Sequence, residues 1–209
     1  IWVGSAKKIK RINQVVESDW SSASYFFSIV ALAKKAKISL TSFKKSSLQG
    51  DVILLEIYEQ LGVSSRFEED TLYIKKENKP LPNSIQLDLT KTPDIAQTIA
   101  VSCYGLGVGC DLVGLHTLKI KETDRLEALK VELTKLGATI KVTNESLHLS
   151  PDTNFIENCS ISTYNDHRMA MAFAPLALKI PLKIEESSVV SKSYPDFWND
   201  LRKLNFKIK

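Results

Sequence analysis

Long apolar runs are missing from this 209-residue chain. The longest, Phe26-Phe27-Ser28-Ile29-Val30-Ala31-Leu32-Ala33, falls far short of the roughly 20 residues that span a bilayer. No secretory leader is legible, because Ile1-Trp2-Val3-Gly4 runs at once into basic Lys7-Lys8-Ile9-Lys10-Arg11. An initiating Met is also missing, and Trp2-Val3-Gly4 reads as the middle of a strand, so a fragment is expected. Cysteine is scarce: Cys103, Cys110 and Cys159 are odd in number and lack CxxC spacing. They predict three small thiols in a reducing cytoplasm, without a disulfide framework or a metal site. Charge of one sign is scarce too. With 28 basic against 24 acidic residues the chain carries +4, a mild lean towards anionic ligands that does not by itself point to nucleic acid. What is present, 44% hydrophobic and 25% charged residues, is the composition of a soluble globular chain and excludes disorder and collagen-like repetition.

A threefold repeat organises the sequence. Asp19-Trp20-Ser21-Ser22-Ala23, Pro93-Asp94-Ile95-Ala96 and Asn165-Asp166-His167-Arg168-Met169-Ala170 each place an acid and short polar residues ahead of an apolar, Ala-rich run. That pattern predicts a helix with a polar start and a buried body. Pro93 suits the first turn, and Thr92 or Asn165 can cap the exposed amides. Some 30 residues later stand Asp51, Asp124 and Asp196, each opening a second helix. These helices are expected to stop at Leu61-Gly62, Leu136-Gly137 and Leu204-Asn205, where Gly or Asn accepts a left-handed conformation. Strands are expected at 38–41, 111–115 and 182–184, with a hairpin over 139–142 and 146–149. The unit is helix, strand, helix, strand, strand, recurring every 72–75 residues. Residues 1–16 read as the closing hairpin of a preceding unit, and the composition shift over 75–82 as a crossing between units.

Acids at helix starts need no ligand to explain them, since each gains about 0.3–1 kcal/mol from the helix dipole. The neighbouring cations do. Lys121, Arg125 and Arg168 stand at helix starts, and Lys192 lies just before Asp196. The positive helix end disfavours all of them, so a phosphate or carboxylate ligand is expected there.

At these motifs the chain resembles the enolpyruvyl transferases, specifically the branch that acts on shikimate 3-phosphate. The matching stretches are Ser21-Ser22-Ala23-Ser24-Tyr25-Phe26, Gln49-Gly50-Asp51, Pro93-Asp94, Lys121-Glu122-Thr123-Asp124-Arg125, Tyr164-Asn165-Asp166-His167-Arg168-Met169-Ala170-Met171 and Lys192-Ser193-Tyr194-Pro195-Asp196. The resemblance implies an α/β (α+β) fold of repeated βαβαββ modules, an inside-out α/β barrel, truncated at the N-terminus. It divides the chain into the last module of one domain (1–65) and most of a second (66–209). It also implies transfer of the enolpyruvyl group of phosphoenolpyruvate to the 5-hydroxyl of shikimate 3-phosphate with release of phosphate. No metal or other cofactor is implied. Further implications are a missing N-terminal half as partner, no nucleic acid, no membrane, a cytoplasmic location and a monomer when complete.

The implied roles follow the motifs. Asp94 is the expected base for the 5-hydroxyl, and Glu122 the expected proton carrier at the methylene carbon of phosphoenolpyruvate. Lys192 is the alternative proton carrier or a phosphate ligand. Arg125 and Arg168 suit bidentate binding of carboxylate or phosphate. Lys121 contacts the shikimate moiety, Ser22 and Tyr25 bind its phosphate and ring, and Asp166 and His167 position Arg168 and the departing phosphate. Gln49-Gly50-Asp51 reads as a module turn. Thr117 stands where the family often has Asn. Within the family the alternative is transfer to UDP-N-acetylglucosamine. From a different class, the alternative is a binding or assembly fragment without turnover.

Overall fold

The structure, a computed structural model, describes residues 1–5, 11, 13, 15–152 and 154–209. Most of the expected hairpin over 1–16 lies outside the described residues.

Two kinds of helix build the molecule. α1 (Trp20–Leu32) starts behind Asp19, whose carboxylate accepts the N–H groups of Ser21 and Ser22 at 3.3 and 2.9 Å. α3 (Ala96–Leu106) follows a tight 3-10 turn at Pro93–Ile95. α5 (His167–Phe173) is capped by Asp166 through the Arg168 N–H. These three are buried nearly all round, as helices apolar on every face must be, and they pack on one another at the centre. The second kind comprises α2 (Leu54–Gln60), α4 (Arg125–Lys135) and α6 (Phe197–Lys203), which carry exposed residues. Gly62, Gly137 and Asn205 take positive φ where those helices end, as the sequence predicts.

Two capping expectations need correction. Thr92 stands before the 3-10 turn at Pro93–Ile95 with φ −144 and ψ 47, and its side chain caps no amide. Asn165 is not the cap of α5 either. It lies in the left-handed region at φ 57, one residue too early, and Asp166 does the capping.

Repeat-equivalent hydroxyls meet where α1 crosses α3. The Ser24 Oγ lies 3.1 Å from Thr98 Oγ1, and Ser102 Oγ donates to Ser28 Oγ at 2.8 Å; both pairs are 74 residues apart and buried. Tyr58 closes the second pair, its hydroxyl 2.8 Å from Ser102.

Among the described residues the strands form three sheets around these helices. β1 (Lys37–Thr41), β2 (Val63–Glu68) and β3 (Thr71–Lys76) give the first, in the order β1-β3-β2, all antiparallel. β4 (Ser84–Asp88), β5 (Gly109–Val113), β6 (Ile140–Val142) and β7 (Leu147–Leu149) give the second, in the order β4-β5-β7-β6, with β4 parallel to β5. β8 (Ser160–Ile161) and β9 (Lys183–Ile184) pair in parallel as the third. Helices inside and sheets outside is the inside-out arrangement the modules imply. The boundary expected after residue 65 falls within β2, and α1 packs into the same core as α3 and α5.

The third repeat differs from its siblings. In the first two, the last strand of the unit lies in the middle of the sheet, antiparallel to both neighbours. The third reaches β9, then α6, then Phe206–Lys209, where half-buried Phe206 and Ile208 alternate with exposed Lys207 and Lys209. A cavity of about 540 Å³ is lined on one side by Leu182, Lys183 and Ile184 and on the other by Phe206, Lys207 and Ile208.

Candidate active site

α4 begins with a charge that the fold takes wholly out of water. The Arg125 side chain is 2% exposed. Its guanidinium donates from Nε to Asp166 Oδ2 at 2.6 Å, from Nη1 to Asp94 Oδ1 at 3.0 Å and from Nη2 to Glu122 Oε2 at 2.6 Å. Burying a cation this deeply demands paired anions, and they come from three places: the turn before α3, the segment before α4 and the cap of α5.

Asp94 is the hub on the solvent side. Besides Arg125 it meets Lys121 Nζ at 3.3 Å and Arg168 Nη2 at 3.4 Å, while Arg168 Nη1 donates to its backbone carbonyl at 3.2 Å. Burial pushes the Asp94 carboxyl up, but Arg168, Lys121 and Arg125 together outweigh it and hold it below its ordinary value. Glu122 behaves alike. Desolvation raises it, and its own backbone amide, Arg125, His167 and Arg168 bring it below the usual carboxylate range. For Glu122 the sequence leaves this balance open; the geometry tips it towards the ionised form.

His167 Nδ1 is buried and has no hydrogen-bond partner among the described residues; Glu122 Oε1 is 3.9 Å away and Asp166 Oδ1 4.0 Å. Burial drives its imidazole below the ordinary value, against the pull of Asp166. Glu122, Asp166 and His167 each bring a ligand-type atom within 4.8 Å of the others, yet both carboxylates already hold Arg125, so a metal ion there has to compete with a guanidinium.

Lys192 reaches the cluster from the 3-10 turn at Ser187–Lys192, donating to the Asn165 carbonyl at 2.6 Å and to its side-chain oxygen at 2.9 Å. Tyr25 is packed edge-on against Phe197, ring centroids 5.7 Å apart. Burial pushes its phenol up to about 12, although Arg168 pulls it down. Arg168 is itself raised: desolvation lowers it, but Tyr25, Asp94, Asp19 and Asp51 more than compensate.

The structure therefore brings together Asp94, Lys121, Glu122, Arg125, His167 and Arg168, with Tyr25 and Lys192 alongside. It does not bring Ser22 to them. The Ser22 hydroxyl donates to Asp19 at 2.7 Å and lines a separate cavity of about 560 Å³ with Phe26, Phe43 and Tyr194. Arg125 also differs from expectation. Its fork is filled by protein carboxylates, leaving Arg168, 16% exposed, as the more open guanidinium. Two further residues belong to the neighbourhood. Asp51, expected at a module turn that opens a helix, accepts from the Ser21 hydroxyl and is raised by burial while the Ser21 hydrogen bond and the Arg168 charge oppose. Glu132 is buried seven residues along α4 from Arg125, on the face that carries Ala128, Leu129 and Leu136; an acid among apolar neighbours three and four residues away is the sequence signal that marks it.

Comparison with known proteins adds the decisive observation. The sequence model of EPSP synthase (3-phosphoshikimate 1-carboxyvinyltransferase) matches residues 2–201. The chain belongs to the EPSP synthase family. A 3-phosphoshikimate 1-carboxyvinyltransferase of Bacteroides fragilis is 48% identical over 198 residues, which is 93% of this chain and 48% of that protein. One from Haemophilus influenzae is 35% identical over 206 residues, 98% of this chain and 46% of that one. The chain thus spans about half the length of the EPSP synthase relatives it matches. The fold is that of EPSP synthase from Acinetobacter baumannii (TM-score 0.74, 20% identity, 90% of this chain and 46% of that one). The enolpyruvyl transferase NikO from Streptomyces tendae shares it (TM-score 0.65, 15% identity, 93% and 44%). Among the described residues no helix is long and apolar enough to cross a membrane.

Proposed function

We propose that residues 1–209 supply one half of an enzyme that moves the enolpyruvyl group of phosphoenolpyruvate to the 5-hydroxyl of shikimate 3-phosphate, releasing phosphate. The observation that carries this reading is Asp94 held among Lys121, Arg125 and Arg168 on a solvent-facing rim. Both substrates are multiply charged anions, and closely set cations stabilise charge that builds up between them.

In this reading the 5-hydroxyl oxygen bonds to the central carbon of phosphoenolpyruvate while its proton passes to Asp94. The methylene carbon gains a proton from Lys192, or from Glu122 once the negative charge of the bound substrates has raised its carboxyl and protonated it. The tetrahedral intermediate then loses phosphate and returns a methyl proton to the same carrier, which restores the double bond. Arg168, backed by Arg125, holds the donor's carboxylate or phosphate. Lys121 and Tyr25 contact the shikimate moiety, His167 stands by the departing phosphate, and Ser22 binds shikimate 3-phosphate only if its Asp19 contact is exchanged for the ligand.

The partner is the remainder of the longer polypeptide. The slot between β9 and Phe206–Lys209 supports its docking there by one extended strand, antiparallel to both edges, as β3 and β7 sit in their sheets. Lys183, Arg202, Lys207 and Lys209 line that cavity and favour acidic flanks on the incoming strand. The completed enzyme is a cytoplasmic monomer in this proposal.

The test is calorimetry and turnover on the completed protein. Shikimate 3-phosphate, not UDP-N-acetylglucosamine, should release heat. Asp94→Ala should chiefly lower kcat, and Arg168→Ala should also raise KM for phosphoenolpyruvate. Residues 1–209 alone should release no phosphate. Heat from the nucleotide sugar only, or unchanged kinetics in both variants, overturns the assignment. Added remainder should slow amide exchange in β9; unprotected amides there would remove the docking site.

A further inference from the structure

Two residues in succession just before the α5 cap, Tyr164 and Asn165, lie in the left-handed region at φ 53 and φ 57. Asn tolerates that region; Tyr, with a bulky side chain, rarely enters it and needs outside support. The support comes from α4. Glu132 is wholly buried, and its carboxylate accepts the Tyr164 hydroxyl at 2.7 Å and the Ser162 N–H at 3.2 Å, while Lys135 pairs with it from the solvent side.

Glu132 stands seven residues from Arg125, two turns along the same face of α4. That face therefore grips one short loop at two points. Arg125 holds Asp166, and Glu132 holds Ser162 and Tyr164. Between those points lies the left-handed turn, which fixes where Asp166 faces Arg125 and where Asn165 presents its oxygens to Lys192.

We propose that Glu132 is a positioning residue for the Arg125–Asp166–Lys192 cluster, acting through the Tyr164–Asn165 turn. The consequence for turnover rests on the enolpyruvyl-transfer reading; the geometric claim does not. Removing the Tyr164 hydroxyl or the Glu132 carboxylate lets the turn relax, shifts Asp166 and loosens the Nε–H of Arg125. Gln at 132 retains an acceptor for Tyr164 and rescues most of that geometry.

The experiment follows the Arg125 Nε–H in nitrogen-15 spectra of residues 1–209, with Ile57→Val in α2 as a control of similar mild destabilisation. Tyr164→Phe and Glu132→Ala should move this resonance and speed its exchange with solvent at least tenfold. Glu132→Gln should stay within about threefold of the parent, and Ile57→Val should leave resonance and exchange unchanged. Tyr164→Phe keeps the test open should Glu132→Ala fail to fold. An unmoved resonance in Tyr164→Phe, or an equal change in Ile57→Val, overturns the proposal. In the completed protein, Tyr164→Phe should lower kcat about tenfold with little change in either KM. An inactive parent there would sink the functional reading while leaving the spectroscopic result standing.

Discussion

Arg125 donates from Nε to Asp166 at 2.6 Å, and neither side chain is more than 2% exposed. The pair fastens the start of α4 to the start of α5, because Asp166 also caps α5 through the Arg168 N–H at 2.8 Å. One carboxylate thus serves a helix terminus and a buried cation together.

Asp166→Ala removes both services. The guanidinium keeps Asp94 and Glu122 but loses its one fully buried partner, and breaking a buried pair from one side costs about 3–5 kcal/mol. Urea denaturation should show a loss of that size. A loss under about 1 kcal/mol would show that water replaces the carboxylate.

Around Asp94 the charges balance. Lys121, Arg125 and Arg168 face Asp94, Glu122 and Asp166. Asp94→Asn leaves one cation in excess. Inorganic phosphate should then bind residues 1–209 about tenfold more tightly, a modest part of the roughly 4 kcal/mol between unit charges 4 Å apart near a protein surface. Titration calorimetry reads this directly, and equal or weaker binding in Asp94→Asn counts against a latent anion site.

Acid should weaken the fold in two windows. Burial, with Arg168 and Arg125, sets the His167 imidazole below its ordinary 6.5. The unfolded chain therefore binds the proton first, and stability falls as pH drops from about 6.5 towards the folded value. Asp94 and Glu122 are depressed carboxylates. Their contribution is intact above the ordinary values of 3.8 and 4.5 and disappears as pH falls through the folded ones. Denaturation midpoints at pH 7.5 and 5.5 should differ more for the parent than for His167→Gln. Identical differences would remove His167 from the acid limb.

Two glycines should rank clearly. Gly137 has φ +103, and a Cβ there would stand 2.1 Å from the Asn154 carbonyl oxygen, a backbone atom. Gly137→Ala should cost about 2–3 kcal/mol. Gly105 sits where α3 meets Leu32 and Leu176, with a Cβ 2.5 and 2.9 Å from their methyl ends. Those ends can shift and alanine favours a helix, so Gly105→Ala should cost only about 1 kcal/mol. Thermal scans giving the reverse order would contradict the packing described.

The repeat made much of the fold legible. Polar helix starts, αL stops and short strands recur with a fixed spacing, and local chemistry dictates each of them. Cations at the wrong helix ends marked Arg125 and Arg168 for the same reason. Less could be read where partners come from far along the chain. Nothing local says that Arg125 turns inward to Asp94 and Asp166, 31 and 41 residues away, or that Glu132 is buried under Tyr164. Residue 65, where the resemblance divides the chain, lies within a strand, with Ser65 opposite Ile74.

At the centre of the molecule, Ser24 faces Thr98 and Ser28 faces Ser102, each a position meeting its own counterpart from another copy of the unit. A hydroxyl both gives and receives a proton, so it is complementary to itself. An Asp or Lys at such a place would confront its own charge. Self-recognition of this kind lets a module stack against its duplicate without first diverging from it, and it restricts later change, because an ionisable group can enter one copy only after the other has altered.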